Sequence, residues 1–309
     1  MTIKAKKTLY IKLGERGKYE RGCIEEDDTL RLGYEEVPDA LCRQSRWDEV
    51  ALRLSEGKDT GAATRHANQI RLFYESGSDT LWITFYRGLL WWCFSEPEVT
   101  LLEDSSKTRP VIGRWRANDA KGSPLQTSGL SGKLLKLQGF RGTICAVQER
   151  EYLVRRINAE KEPNVLAAEA ARDSFADTIE TIIHSLHWRD FELLVDLIFT
   201  NAGWKRVSEV GGTQKTQDLI LDEPIVGRRY GVQIKSQADR KDLEAYKAQV
   251  QNRPELAHSY FVVHSPSRNL EECLKQMTSG DRVEVLGPRQ LADWSVRYGL
   301  VDWIIDKAG

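Results

Sequence analysis

An acidic, an amide and an ammonium side chain occur close together on two neighbouring predicted strands of this chain. The first strand begins at Asp218, and the second contains Gln233 and Lys235. Because side chains alternate along a strand, Val232 and Ile234 are predicted on one face and Gln233 and Lys235 on the other. The polar pair is therefore expected to point away from the core and toward Asp218.

These side chains suit the hydrolysis of a phosphodiester. The reaction uses a hard divalent cation held by oxygen ligands, which Asp218 and Gln233 could supply. Lys235 would orient or deprotonate the attacking water and add positive charge near the scissile phosphate. A solvated sheet edge with a turn aspartate has the same pattern, so this alternative stays open on these residues alone.

A predicted amphipathic helix upstream supplies a further carboxylate. It covers residues 187–199, and Gly203 is a plausible stop. Its predicted apolar stripe consists of Trp188, Phe191, Val195 and Ile198. Glu192 flanks the stripe and is expected to lean over the sheet toward Asp218.

Together these residues resemble the Mrr-like restriction endonucleases of the PD-(D/E)xK nuclease superfamily. The resemblance covers about residues 170–309 and rests on residues 191–195, Gly203-Trp204, a turn at Gly211-Gly212, Asp218 and Gln233-Ile234-Lys235. It implies a catalytic core of Asp218, Gln233 and Lys235 completed by Glu192. Mg²⁺ or Mn²⁺ would be held by Asp218, Gln233 and Glu192.

The sequence departs from many relatives in one place. The turn before Asp218 lacks the Asp-Gly-Gly-x-Asp density that they show, which bears on the number of metal ions. The Gln-x-Lys form also replaces the commoner acid-x-Lys, as it does in the Mrr branch. The core residues themselves are unaffected by the first difference.

The rest of the C-terminal half alternates between helices and strands. Helices are predicted at residues 240–251, 269–277 and 288–298, and strands at 259–264 and 283–286. This order predicts a restriction-endonuclease-like α/β sandwich with a mixed central sheet covered on both faces. His264 is expected to be a structural or surface residue.

The length of 309 residues predicts two domains. The boundaries are a β-rich domain at residues 1–158, a linker and the start of a connecting helix at 159–175, and the nuclease domain at 176–309. No apolar run is long enough to span a bilayer, and no export signal opens the sequence. The five cysteines are scattered without a C-x-x-C pair. A soluble, cytoplasmic protein with reduced thiols and no membrane partner is expected.

The charge is divided unevenly between the two halves. Residues 1–158 hold 26 Lys and Arg against 22 Asp and Glu, a net of +4, and the remaining residues hold 19 against 24, a net of −5. Residues 107–156 contain eleven basic and three acidic residues. Such an excess can attract phosphates, although a merely solvated surface has the same composition.

The N-terminal half is predicted to be a small β-barrel. Strands are predicted at residues 8–13, 80–85, 89–94, 111–115 and 144–147, with glycines at the turns and a hairpin turn at Tyr86-Arg87-Gly88. Helices predicted at 45–56 and 60–76 would pack across its openings. Trp82, Trp91 and Trp92 are candidate walls of a pocket for an extruded base, with core packing as the alternative.

This half also resembles the PUA-like and EVE-like sensors of modified bases. The resemblance rests on residues 10–17, Ile24, residues 30–34, Trp82, the Trp91-Trp92 pair and residues 139–143. It implies that the N-terminal half selects the DNA and the C-terminal half cuts it. The chain would then be a modification-dependent, type IV-like restriction enzyme that acts against foreign DNA.

Two other functions remain open. The nuclease fold could be inactive in a nucleic-acid binding protein, or the N-terminal domain could receive a soluble ligand that activates non-specific cleavage in antiviral defence. The first hypothesis is favoured because alternation, spacing and helix placement agree. Cutting both strands needs two centres, so a homodimer is expected at least on DNA.

Overall fold

The structure is a computed structural model that describes residues 2–55, 60–207, 218–276 and 282–309. The chain folds into two compact units, Met1–Pro163 and Asn164–Gly309. None of the helices in these ranges has the length and apolar character needed to cross a membrane.

The described residues of the N-terminal unit form two sheets and five α-helices. The strands are β1 Lys7–Ile11, β2 Thr29–Leu32, β3 Thr80–Tyr86, β4 Leu89–Phe94, β5 Thr100–Leu101, β6 Lys107–Pro110 and β7 Ile144–Ala146. The helices are α1 Asp39–Arg43, α2 Trp47–Ser55, α3 Thr60–Glu75, α4 Gly132–Leu135 and α5 Arg150–Ile157. One sheet has the order β4-β3-β1-β7 and the other β2-β6-β5.

The larger sheet has apolar side chains on both faces. Leu9, Ile11 and Trp82 pack in the core that includes residues of α2 and α3. Tyr10 and Ile83, which alternate with them, pack in a second core on the other face. The strands β3 and β4 form the predicted hairpin.

The turn of this hairpin is local in origin. Arg87 and Gly88 have φ values of 49° and 74°. Positive φ at both central residues is the geometry of a type I′ turn, whose twist matches that of the flanking strands. The predicted turn at Tyr86-Arg87-Gly88 is confirmed.

The predicted barrel is not confirmed. The described N-terminal residues form two separate sheets and no closed barrel. The strands β1 and β3 pair in parallel, and parallel neighbours need a long crossover connection, which here contains α1, α2 and α3. The expected series of short turns between neighbouring strands is therefore absent at this point of the described sheet. The outer edge of β4 is covered by irregular chain, where Trp92 N donates to Arg116 O at 2.8 Å. The strand predicted at residues 111–115 is not formed, and an isolated bridge from Val111 to Ser95 is present in its place.

The C-terminal unit is a mixed sheet between helices, as predicted. Its strands are β8 Lys205–Arg206, β9 Leu219–Asp222, β10 Arg229–Ala238, β11 His258–Pro266 and β12 Val283–Leu286, in the order β12-β11-β10-β9-β8. Its helices are α6 Pro163–Ser185, α7 Trp188–Asn201, α8 Arg240–Gln251, α9 Arg268–Gln276, α10 Pro288–Arg297 and α11 Val301–Ala308. The strands β10, β11 and β12 are parallel, whereas β8, β9 and β10 are antiparallel.

Helices cover both faces of this sheet. One core joins Val232 and Ile234 of β10 to residues of α6, α7, α10 and α11. The other joins Phe261 and Val263 of β11 to residues of α8 and α9. The face of β10 that carries Val232 and Ile234 is therefore covered by α6, α7, α10 and α11. The opposite face of the sheet is covered by α8 and α9.

Candidate active site

The antiparallel pairing of β9 and β10 brings Asp218 to Gln233. Leu219 lies opposite Val232, and the Asp218 amide donates to Val232 O at 3.0 Å. The next step of the same register places Asp218 opposite Gln233. The Gln233 Nε2 atom donates to Asp218 Oδ2 at 2.6 Å, and the Ile234 amide donates to the same oxygen at 2.6 Å. Two hydrogen bonds from β10 thus fix the carboxylate.

Buried and more exposed side chains alternate along β10 as predicted, and the more exposed face also borders a second hydrophobic core. Val232 and Ile234 are buried, Gln233 is half-buried and Lys235 is exposed. In the parallel pair with β11, Gln233 and Lys235 lie beside Phe261 and Val263, which belong to the core under α8. The polar face is therefore bordered by a second core instead of being open to water throughout.

Glu192 lies within electrostatic range of Asp218. Partial burial raises the pKa of the Glu192 carboxyl, the negative charge of Asp218 raises it further, and Arg189 acts in the opposite direction. Two carboxylates with interacting charges favour a cation between or beside them. The helix α7 thus places Glu192 where its charge and that of Asp218 influence each other.

The apolar stripe of α7 differs from the prediction at its first residue. Phe191, Val195 and Ile198 are buried, but Trp188 is 47% exposed. Trp188 begins the helix and lies beyond the edge of the core, where the Arg189 guanidinium is 5.0 Å from its ring centroid. His187 accepts a hydrogen bond from the Arg189 amide and caps the helix.

The donor atoms at the end of β9 fit a hard divalent cation. Asp218 Oδ1 has no hydrogen bond with any described residue, and Gln233 Oε1 is left for another partner because Nε2 is used by Asp218. Carboxylate and amide oxygens are the ligands that Mg²⁺ and Mn²⁺ prefer. The described residues contain no group of three or more His, Cys, Asp or Glu with this potential, so such a site would use two carboxylates, one amide and water.

Lys235 is an exposed cation on the same face of β10 as Gln233. Its ammonium has no hydrogen bond or ion pair with any residue that the structure describes. The ammonium is therefore available to a phosphate or a water molecule.

Tyr246 of α8 was not singled out by its sequence pattern. It is buried, and burial together with the charge of Asp218 raises the pKa of its hydroxyl to about 12. Its position on the apolar side of an amphipathic helix is typical of an ordinary core residue, so the sequence carries no signal of its proximity to the site. The predicted turn at Gly211-Gly212 lies outside the described residues.

His264 has the structural role that was expected. Its Nε2 lies 2.9 Å from Ile183 O and its Nδ1 lies 2.8 Å from Ser265 Oγ. Its ring packs edge-on against Phe191 at 4.8 Å between centroids. Both ring nitrogens are occupied by the protein itself.

The three tryptophans proposed as pocket walls lie in different surroundings. Trp82 is fully buried and packs edge-on against Phe73, so it presents no face to a ligand. Trp91 is half-buried and Trp92 is nearly buried, and both line a cavity of about 480 Å³. Their indole nitrogens donate to Tyr86 O and Asn118 O, respectively.

Two of the eleven basic residues between residues 107 and 156 are internal. Lys107 donates to the carbonyls of Tyr34 and Val37, and Arg109 to three carbonyls, with both side chains fully buried. Burial lowers the pKa of Arg109 to about 10. Eight others are exposed, namely Arg114, Arg116, Lys121, Lys133, Lys136, Arg141, Arg150 and Arg156. The basic surface is therefore smaller than the sequence suggested.

The mixed sheet and its acid, amide and ammonium groups define a nuclease-type α/β domain. The restriction endonuclease family, represented by the Mrr catalytic domain, matches residues 183–295. This part of the chain is a Mrr-like restriction endonuclease domain, and the protein is an endonuclease. Restriction endonuclease domains of this superfamily generally use divalent metal ions.

One solved structure similar to this chain is titled DNA modification-dependent restriction endonuclease AspBHI. The sequences are 11% identical, the alignment covers 90% of this chain and 79% of the other, and the TM-score is 0.33. A search of curated proteins found no match. The family match does not reach the N-terminal unit, so the PUA-like resemblance stays a prediction.

Proposed function

We propose that this protein is a metal-dependent endodeoxyribonuclease that cuts DNA carrying modified bases, as a type IV-like restriction enzyme. The observation that carries the proposal is the Asp218 carboxylate, held by Gln233 and Ile234 beside the Glu192 carboxylate. The exposed basic residues of the N-terminal unit support binding of the DNA backbone.

The residues of the site divide the reaction between them. Asp218, Glu192 and Gln233 would hold a divalent ion, which supplies Lewis acidity and a more acidic bound water when present. Lys235 orients the attacking water and places positive charge where negative charge develops on the phosphate. The two hydrogen bonds to Asp218 Oδ2 keep its second oxygen directed before DNA arrives, which reduces reorganisation during the reaction.

The N-terminal unit would select the DNA. In this proposal its PUA-like character and its cavities serve to inspect an extruded base, and the cavity lined by Trp91 and Trp92 is one of two candidates for that role. Each active centre hydrolyses one phosphodiester, so the protein would act as a homodimer on DNA. It would work in the cytoplasm as part of the defence against foreign DNA.

The test compares plasmids that are identical except for unmodified bases, 5-methylcytosine, 5-hydroxymethylcytosine or N6-methyladenine. Wild type, Lys235→Ala and the control Lys205→Ala, an exposed lysine of β8, are incubated with Mg²⁺ or Mn²⁺. We expect wild type and Lys205→Ala to cut one of the modified plasmids when a metal ion is present. Lys235→Ala should cut none of the plasmids. Equal cutting by Lys235→Ala would contradict the proposal.

Two other outcomes would replace it. Cleavage that requires an added soluble nucleotide and ignores base modification would indicate a ligand-activated effector of antiviral defence. Binding of DNA without nicking under either metal would indicate a catalytically inactive nucleic-acid binding protein.

A further inference from the structure

A cavity of about 480 Å³ opens beside β1 and β3 in the N-terminal unit. Its lining includes Tyr10, Lys12, Arg16, Glu20, Phe85 and Tyr86, and we refer to it as the Glu20 cavity. This volume lies within the range of roughly 300–1,000 Å³ that is common for small-molecule sites. It is separate from the cavity beside Trp91 and Trp92.

Three aromatic side chains, those of Tyr10, Phe85 and Tyr86, belong to this otherwise mainly polar lining. The rings of Tyr10 and Phe85 lie 5.8 Å apart at an angle of 46°. Tyr86 is half-buried, and the Arg87 guanidinium lies 5.0 Å from its ring centroid. Rings of this kind can stack on a flat heterocycle, because aromatic pairs favour offset and tilted contacts.

Tyr10 contributes an unpaired polar atom to the cavity. Its side chain is only 4% exposed, and its hydroxyl has no hydrogen bond with any described residue. Burial raises the pKa of this hydroxyl to about 12, so it is neutral and able to donate or accept a hydrogen bond. The hydroxyl oxygen is reachable from the cavity, so water or a ligand can supply its hydrogen-bond partner.

Glu20 contributes a carboxylate that is also without a partner. It is half-buried and has no ion pair or hydrogen bond with any residue of the described ranges. The neighbouring acids Glu25 and Glu35 are paired, with Arg87 at 2.6 Å and Lys18 at 3.4 Å. Partial burial raises the pKa of Glu20, and its charge acts on both Tyr10 and Tyr86. The Glu20 carboxylate thus makes no ion pair with a described residue, and both aromatic rings and the cations Lys12, Arg16 and Arg87 line the same cavity.

The backbone beneath Glu20 is specialised for this arrangement. Gly14, Arg16 and Gly17 have φ values of 84°, 51° and 78°. Gly17 has a φ that side-chain-bearing residues rarely adopt, and a Cβ atom there would lie 2.5 Å from the Glu20 carboxylate, which would have to move to another rotamer. A non-glycine residue such as Arg16 in the left-handed region is strained, and such strain is concentrated at functional sites.

We propose that the Glu20 cavity binds one nucleobase extruded from DNA and that this base presents an amino group to Glu20. Cytosine, adenine and guanine carry such a group, whereas thymine does not. Glu20 accepts the amino hydrogen, Tyr10 pairs with a second polar atom of the base, and Phe85 and Tyr86 stack against it. The proposal rests on the function proposed above, since it names the site by which the N-terminal unit would select DNA.

The charges around the cavity fit a nucleotide within a strand. Arg16 and Arg87 are exposed on its lining and would face the phosphates that flank an extruded base. The Trp91 cavity differs in this respect, because its indole nitrogens already donate to backbone carbonyls. It offers stacking surfaces without a comparable unpaired carboxylate among its lining residues.

The experiment measures binding of the full chain to short duplexes in EDTA, where no metal supports cleavage. The duplexes differ only in one central base opposite an abasic site, which is cytosine, 5-methylcytosine, adenine, guanine or thymine. A neighbouring 2-aminopurine reports extrusion by its fluorescence. We expect at least one amino-bearing base to be bound about tenfold or more tightly than thymine, with a fluorescence increase.

The variants distinguish a base contact from general electrostatics. Glu20→Ala should lose this discrimination, with affinity falling about tenfold or more to the level of thymine. The control Glu15→Ala removes an exposed acid from the same loop and should leave affinity unchanged or raise it, because losing negative charge strengthens attraction to DNA. Glu20→Gln keeps the shape of the side chain and should be folded. A loss of base discrimination in this variant as well would therefore be due to the missing negative charge and not to unfolding.

Three results would overturn the proposal. Thymine could bind as tightly as every other base, Glu20→Ala could bind as tightly as wild type, or Trp91→Leu could abolish discrimination while Glu20→Ala retains it. Because binding is measured without metal, failure of the nuclease centre leaves this test unaffected. Modification-dependent cleavage that persists in Glu20→Ala would likewise reject the cavity but not the proposed function.

Discussion

The Gln233 carboxamide donates a 2.6 Å hydrogen bond to the Asp218 carboxylate across the β9–β10 pair. This bond joins the two residues that we propose as metal ligands, and it places an amide where many related nucleases have an acid. A neutral partner leaves fewer like charges at the site when no metal is bound. This difference can be tested by restoring the acid.

Gln233→Glu should remove this hydrogen bond and place two carboxylates in contact. We expect the metal-free protein to lose on the order of 1 kcal/mol of stability at neutral pH, because like charges repel. Mg²⁺ should then raise the melting temperature of the variant more than that of wild type. Melting curves with EDTA and with Mg²⁺ measure both effects, and an equal metal response in both proteins would contradict the expectation.

Lys235→Ala should abolish cleavage without changing the fold. The side chain is exposed and makes no hydrogen bond or ion pair with a described residue, so the change in unfolding free energy should stay within about 0.5 kcal/mol. Loss of a charge at the transition state should lower the cleavage rate by about a hundredfold or more. Urea unfolding and single-turnover cleavage test the two parts, with Lys205→Ala as the control. A large loss of stability would instead assign Lys235 a structural role.

Lys107→Ala should lower the stability of the fold, whereas Lys121→Ala should change only the binding of DNA. Lys107 is fully buried and donates to two carbonyls, so its removal should cost about 2–4 kcal/mol of stability. Lys121 is exposed, and its removal should leave stability unchanged. If Lys121 contacts a DNA phosphate, its loss should reduce the salt dependence of DNA affinity by about one unit of slope. A change in slope for folded Lys107→Ala would contradict this division.

The pH dependence of stability should reveal the unpaired Glu20 carboxylate. Burial raises its pKa in the folded state, so the folded protein binds this proton more readily than the unfolded chain. Its favourable contribution is complete below the unfolded pKa of about 4.3 and is lost as pH rises through the folded pKa. Glu20→Gln should therefore match wild type in acid and become the more stable protein near neutral pH.

Urea unfolding at several pH values tests this expectation. Glu15→Gln provides the control, since that side chain is exposed in the same loop. A Glu20→Gln variant that is less stable than wild type at neutral pH would show that the carboxylate has a stabilising partner.

The local pattern of the sequence was sufficient for the elements of the candidate site. Alternation in β10 separates Val232 and Ile234 from Gln233 and Lys235, and the Arg87-Gly88 turn closes a hairpin between adjacent strands. The periodicity of α7 similarly predicted Glu192 beside the apolar stripe. Each of these features depends on neighbours within a few residues, so the sequence carries its signal directly.

Pairing between distant segments was decided only by the tertiary structure. The parallel pairing of β1 with β3 brings Tyr10 into contact with Phe85, and it buries Trp82 in the core instead of at a pocket. Lys107 and Arg109 have ordinary basic side chains in the sequence, yet backbone carbonyls from several elements enclose them. Strand partners and burial depend on how the whole chain packs, whereas alternation and turn geometry depend on the residues alone.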